Sequence, residues 1–137
     1  MRRVSILIGV CALTALAITV MAQVTDLSPI MKNMQPTLMK LRTDAGSNMA
    51  DAAKDADQLQ KMFKDAETFF KAKGAGAADA VKWTQDAQAA AADAAKAAKA
   101  NDADGVAKAS KTLQGTCKAC HDVHREQLPD KTFKYKP

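Results

Sequence analysis

Alanine dominates positions 75 to 100, and β-branched residues are scarce after position 25. Alanine has the highest helix propensity of any residue and is too small to cover the faces of a sheet. The chain is thereby committed to helix. Of its 137 residues only 4% are aromatic, and glycine and proline together number ten, which argues against sandwiches, barrels and α/β layouts. A hydrophobic fraction of 47%, recurring at helical spacing, argues against disorder. The length fits one domain and is too short for two ordinary catalytic domains.

The first residues follow another logic. Met1-Arg2-Arg3 is a short basic start, Val4 to Val20 is apolar, and Val20-Met21-Ala22 offers a cleavage site before Gln23. This is the pattern of a secretory signal peptide. Residues 1–22 are expected to be removed, leaving 23–137 as a periplasmic domain. A retained anchor is the alternative, although the apolar run is at the short end for a span. No membrane span is expected after cleavage. Cys11 lies in the removed segment, and Val10 before it does not fit a lipoprotein cleavage box. The Arg2-Arg3 pair adds little, because ordinary secretion signals also begin with basic residues. Without it the formal charge falls from +5 to +3. No cluster of Lys and Arg interleaved with aromatics is present, so nucleic acid is not an expected partner.

Four helical segments follow. Ser28-Pro29 reads as a cap and a proline at the first helical position. Ile30, Met31, Met34, Leu38 and Leu41 then form an apolar stripe to about Arg42, with Pro36 expected to bend or loosen one turn. A second stripe runs from Met49 through Leu59, Phe63 and Phe70 to Lys73-Gly74. The third segment, about Ala77 to Ala100, carries Val81 and Trp83 on a face otherwise nearly all alanine, which lets a neighbour come close or leaves room for something bulky. The fourth presents Val106, Leu113, Cys117, Cys120, His121 and His124 on one face and is expected to end by Leu128-Pro129. A basic tail with Phe133 and Tyr135 completes the chain. The economical fold is all-α, an antiparallel up-down-up-down four-helix bundle. A three-helix array with one long hairpin is the alternative.

Cys117-Lys118-Ala119-Cys120-His121 is C-x-x-C-H, which in an exported chain is the attachment signal for c-type haem. Two thiols add to the two vinyl groups of one haem, and the histidine after the second thiol supplies a nitrogen to the iron. A structural disulfide leaves the histidine unexplained. A thioredoxin-like pair needs a βαβ setting. A zinc site needs further ligands, and only His124 is left nearby. The reading is a covalently attached haem c, with Cys117 and Cys120 as attachment points and His121 as proximal ligand.

With this motif near the end of the last of four helices, behind an export signal, the chain resembles the class II c-type cytochromes: cytochrome c-prime and its low-spin relatives of the c556 type. Arg125, four residues after His121, matches an arginine common at that place in the family. The likeness spans the mature chain, but only the haem motif is specific. Class I cytochromes carry the motif near the N-terminus instead. The resemblance also implies that a homodimer through the first two helices is available.

The other side of the iron decides what the protein does. In an antiparallel bundle the level of His121 meets the first two turns of the first helix, where Met31 and Met34 lie. Cytochrome c-prime usually has a non-ligating apolar residue there, whereas the c556 type has a ligating methionine. Met31-Lys32 resembles the Met-Lys of that type, so Met31 is the expected distal ligand, Met34 the second choice and Met39 a distant third. Methionines on such a stripe also fill cores. His124 shares a helix face with His121 and cannot reach the opposite side of the iron; it is expected near a haem edge or in a hydrogen bond. Arg125 is expected to meet a haem propionate or to lie solvated. Phe63, Phe70 and Trp83 line the haem or simply fill the core.

The expected function is a soluble electron carrier, its basic tail (Lys131, Lys134, Lys136) suited to redox partner proteins of acidic surface. A gas-binding haem protein with an open sixth position is the alternative. A haem enzyme such as a peroxidase ranks last, because the start of the first helix offers Asn33 and Gln35 but no histidine or arginine.

Overall fold

A computed structural model of the chain describes residues 24–137. The signal peptide read over residues 1–22, with Cys11, lies outside the described residues. Four helices follow: α1 (Ser28–Asp44), α2 (Met49–Lys71), α3 (Ala78–Lys99) and α4 (Ala103–His124). A single 3₁₀ turn, Gly74–Ala77, precedes α3. Two three-residue strands, β1 (Arg125–Gln127) and β2 (Phe133–Tyr135), end the chain. No described helix is long and apolar enough to cross a membrane.

Local chemistry sets the boundaries. Asn48 caps α2 by accepting from the Asp51 N–H, and Asp102 caps α4 by accepting from the Gly105 N–H at 2.9 Å. At α1 the helix starts one residue earlier than expected. Ser28 is itself helical, and its N–H donates to Asp26 Oδ1 at 2.8 Å. Pro36 removes one backbone donor, yet α1 runs through it to Asp44. The Thr37 hydroxyl donates to the Asn33 carbonyl at 2.8 Å just beyond it.

Side chains fix an antiparallel bundle. Lys40 reaches Asp55 near the α1–α2 turn. Asp57 meets Lys99, whereas Glu67, ten residues on, meets Gln85 and Gln88, so α2 and α3 run oppositely. Asp79 at the start of α3 meets His124 at the end of α4. Arg42 donates to the Ser110 carbonyl and to Gln114 Oε1, which clasps the end of α1 to the middle of α4. The large, fully buried side chains are Phe70, Leu41, Leu59, Leu113 and Val106. Alanines 80, 87, 90, 91, 94, 95 and 98 of α3 are buried among them. Where α3 hands over to α4 the backbones meet closely. A Cβ on Gly105 would run into the Asp102 carboxylate and stand 2.8 Å from the Ala97 Cβ.

The C-terminal expectation needs correction. The last helix stops at His124, not near Leu128, and the supposed tail folds back as an antiparallel ribbon pairing Arg125 with Tyr135 and Gln127 with Phe133. Pro129 disfavours helix at the residue before it. Asp130 accepts from the Thr132 N–H and hydroxyl, Leu128 N–H donates to the Thr132 carbonyl, and Lys131 takes a left-handed conformation (φ 65°). These close the turn.

Glu67 is the one buried glutamate of the described bundle, 3% exposed, and every partner it has favours its ionised form. Lys71 at 2.6 Å is foremost, followed by Gln85 and Gln88; Lys64 adds a weaker contact. These partners hold its carboxyl well below the usual carboxylate range. The resulting stability is fully present above the unfolded pKa and is lost as pH falls toward the native one. Glu67→Gln should cost about 1–3 kcal/mol at neutral pH. It should also flatten the acid side of the stability curve below about pH 4.3. Urea denaturation at a series of pH values reads both; equal acid sensitivity of variant and parent would refute this role.

Candidate haem site

The helix pairs are not equally close. α3 draws α2 and α4 onto its alanine face, while α1 packs mainly on α2 and only loosely on α4. Between α1 and α4 lies a cavity of about 700 Å³, inside the span of about 300–1,000 Å³ usual for small-molecule and cofactor sites.

Cys117, Cys120 and His121 all line it. They project from one stretch of α4, positions i, i+3 and i+4, which share a helix face. Both thiols are free and half-buried. Burial pushes the Cys117 thiol up; burial, then the neighbouring Cys117 and Asp79 charges, pushes Cys120 up to about 11. His121 is shifted the other way, downward, by burial and then by the Arg125 charge. Burial thus favours the neutral form of all three groups.

On the facing helix, Met31 and Met34 line the same cavity. Counting back from the Arg42 clasp, the level of His121 falls between these two methionines. They also share with Cys117, Cys120 and His121 a narrow inner pocket of about 20 Å³, closed by Trp83 and Thr116. Met34 is buried in the core, 6% exposed, whereas Met31 is half-buried at its edge. Met39 is 60% exposed at the mouth. Phe63 and Phe70 form the floor.

Arg125 also lines the mouth, with its guanidinium 4.3 Å from the Phe133 ring centre. His124, by contrast, is turned to structural work. It is 5% exposed, its Nε2 lies 2.8 Å from Asp79 Oδ1, and its Nδ1 lies 2.9 Å from the Lys136 carbonyl. The hydrogen bond from His124 is the main cause holding the Asp79 carboxyl below its ordinary range. The Tyr135 ring stacks on the His124 imidazole at 5.5 Å and meets Phe69 and Phe70 edge-on or tilted.

Two wall elements were not expected from the sequence. The ribbon brings Phe133 and Tyr135 onto the cavity, and Leu27, before α1, joins them. The apolar spacing of Phe133 and Tyr135, one residue apart with a lysine between, was the available signal for a strand.

These residues fit a haem. The cavity is apolar within, both thiols and the imidazole open onto one space, and a thioether-bearing helix faces them. No protein-family model, curated protein or solved structure matches the chain.

His124 ties the ribbon to the bundle at two points, through Asp79 and Lys136. Its backbone carbonyl accepts a third bond, from the Lys136 N–H at 2.8 Å. His124→Ala should therefore release residues 133–136, raise their amide exchange, and lower stability by about 1–3 kcal/mol. Unchanged exchange there would mean that the aromatic cluster alone holds the ribbon.

Proposed function

We propose that the chain is an exported c-type cytochrome with one haem held by Cys117, Cys120 and His121, and that it acts as a soluble periplasmic electron carrier. The observation that carries this reading is the opening of both thiols and the imidazole of one C-x-x-C-H run onto a single cavity of cofactor size. A zinc site needs more ligands than these three, and His124 is engaged by Asp79 and the Lys136 carbonyl.

Haem, when bound, supplies a one-electron ferrous/ferric couple. Cys117 and Cys120 would hold the group covalently, each thiol giving up its sulfur–hydrogen bond for a thioether bond to one vinyl group. The neutral His121 imidazole keeps a nitrogen lone pair available as proximal ligand. Met31 would be the distal ligand, with Met34 the second choice. Its half-buried position at the core edge leaves it freer to move than Met34, which is packed among core side chains. Phe63, Phe70 and Trp83 keep water from the inner pocket. Arg125 at the mouth offers the planar pair of donors that suits a propionate carboxylate. His124 is committed to Asp79 and the ribbon, so it orients the wall and leaves the iron to other residues.

Replacement of both Cys117 and Cys120 by alanine should give protein that loses all of its haem in acid acetone. Parent protein, matured where c-type haem is attached, should retain it. Release of haem from the parent sinks the covalent reading.

Met31→Ala should open the distal side, turn the ferrous spectrum high-spin and let carbon monoxide bind quickly, while Met34→Ala does much less. A parent protein that is already high-spin and binds carbon monoxide at once favours the gas-binding alternative. An effect confined to Met34→Ala moves the ligand by one turn and leaves the carrier reading in place.

A further inference from the structure

The mouth of the cavity is charged in one sense only. Lys32, Arg42, Arg125, Lys131 and Lys134 line it, and no aspartate or glutamate does among the described residues. The whole chain carries 20 Lys and Arg against 15 Asp and Glu. The lining thus carries five cations and no carboxylate. Arg42 is engaged in clasping α4, and Lys134 meets Glu126 at 3.3 Å. Lys32, Arg125 and Lys131 stand exposed around the opening.

The same opening carries exposed apolar surface. Among the described residues three large hydrophobic side chains remain exposed, and two of them, Met39 at 60% and Phe133 at 49%, lie on this mouth. Arg125 covers the Phe133 ring at 4.3 Å. Arginine, methionine and aromatic residues are those enriched where proteins meet, and a ring of one charge sign around them steers the encounter.

We propose that this mouth is the docking surface for an acidic redox protein, one that presents aspartate and glutamate side chains around its own point of electron exit. The proposal rests on the haem reading above. It adds the place of contact, the mouth of the cavity with Lys32 and Arg125, and it assigns the C-terminal ribbon as a docking element. A second copy of the chain fits this surface poorly, because a two-fold contact brings the free cations Lys32, Arg125 and Lys131 of the two copies together. An anionic bilayer attracts the charges, but membrane-bound elements insert a broad apolar face, and this mouth offers Met39 and Phe133.

The test uses the haem-loaded protein in the ferrous state. Its oxidation by ferricyanide, a small anionic oxidant, is followed by stopped flow from low to high salt, with poly-L-glutamate as a competing acidic polypeptide. The rate should fall roughly fivefold or more as salt rises, since screening shortens the reach of the charged ring. Poly-L-glutamate should slow the reaction at low salt. Lys131→Glu and Lys32→Glu should each lower the low-salt rate and weaken the effect of poly-L-glutamate. Lys96→Glu, an exposed site on α3 away from the mouth, should do neither. All variants should keep the parent optical spectrum. Equal losses from Lys96→Glu and Lys131→Glu would reduce the effect to net charge and overturn the proposal. So would indifference to poly-L-glutamate, or sedimentation with phosphatidylglycerol vesicles that poly-L-glutamate does not reverse. An intact haem spectrum with any of these outcomes overturns the docking surface alone; absence of haem from the purified protein overturns the carrier reading as well.

Discussion

Close approach along α3 governs where the other helices stand. Its buried face is alanine at 80, 87, 90, 91, 94, 95 and 98, so α2 and α4 settle against it with little side-chain volume between them. Gly105 extends the same closeness to the start of α4, where no Cβ fits. Helix α1 lacks such a face. It brings Met31, Met34, Leu38 and Leu41, and it is held by α2 and by the single clasp from Arg42 to Ser110 and Gln114. The loosest contact between neighbouring helices is thus the one between α1 and α4, and the cavity lies there. A largely apolar opening of this size between loosely packed helices is suited to a large apolar guest.

A second constraint lies at the opposite end of the same helices. Asp79 begins α3 and His124 ends α4, so their contact closes the bundle where the cavity opens. The same imidazole faces the Lys136 carbonyl, and Tyr135 stacks on it. A single buried histidine therefore couples the start of α3 to a ribbon that forms part of the cavity wall. That explains why His124, although three residues from His121 and rich in coordinating chemistry, takes no part in the proposed iron site.

Much of this was legible in the sequence because it is local. The 3.6-residue spacing of apolar positions gives three of the four inner faces. The alanine run announces either close packing or room for something bulky; close packing is what α3 shows, and no α3 residue lines the large cavity. C-x-x-C-H is readable because the three groups lie within five residues on one helical face. The ribbon was not legible in the same way. Each of its strands has three residues, too few for a period to show, and what holds it is contact between residues distant in the chain: His124 with Asp79, and Tyr135 with Phe69 and Phe70. The cap of α1 was misassigned for a related reason. Asp26 and Ser28 both suit a helix start, and only the fold decides that Asp26 accepts the bond.

For the proposed carrier, three features bear on the iron in the same direction. A methionine thioether favours the softer, reduced metal. An apolar inner pocket walled by Phe63, Phe70 and Trp83 disfavours the more highly charged oxidised state. Cations at Lys32, Arg125 and Lys131 disfavour it too, by repulsion that falls off with distance and salt. With haem bound and Met31 ligating, the three would act together to raise the potential. The cations act twice. The charge that favours reduction of the site also draws in an acidic protein, and both effects are strongest at the mouth, where Arg125 lies over Phe133 and the ribbon meets the cavity.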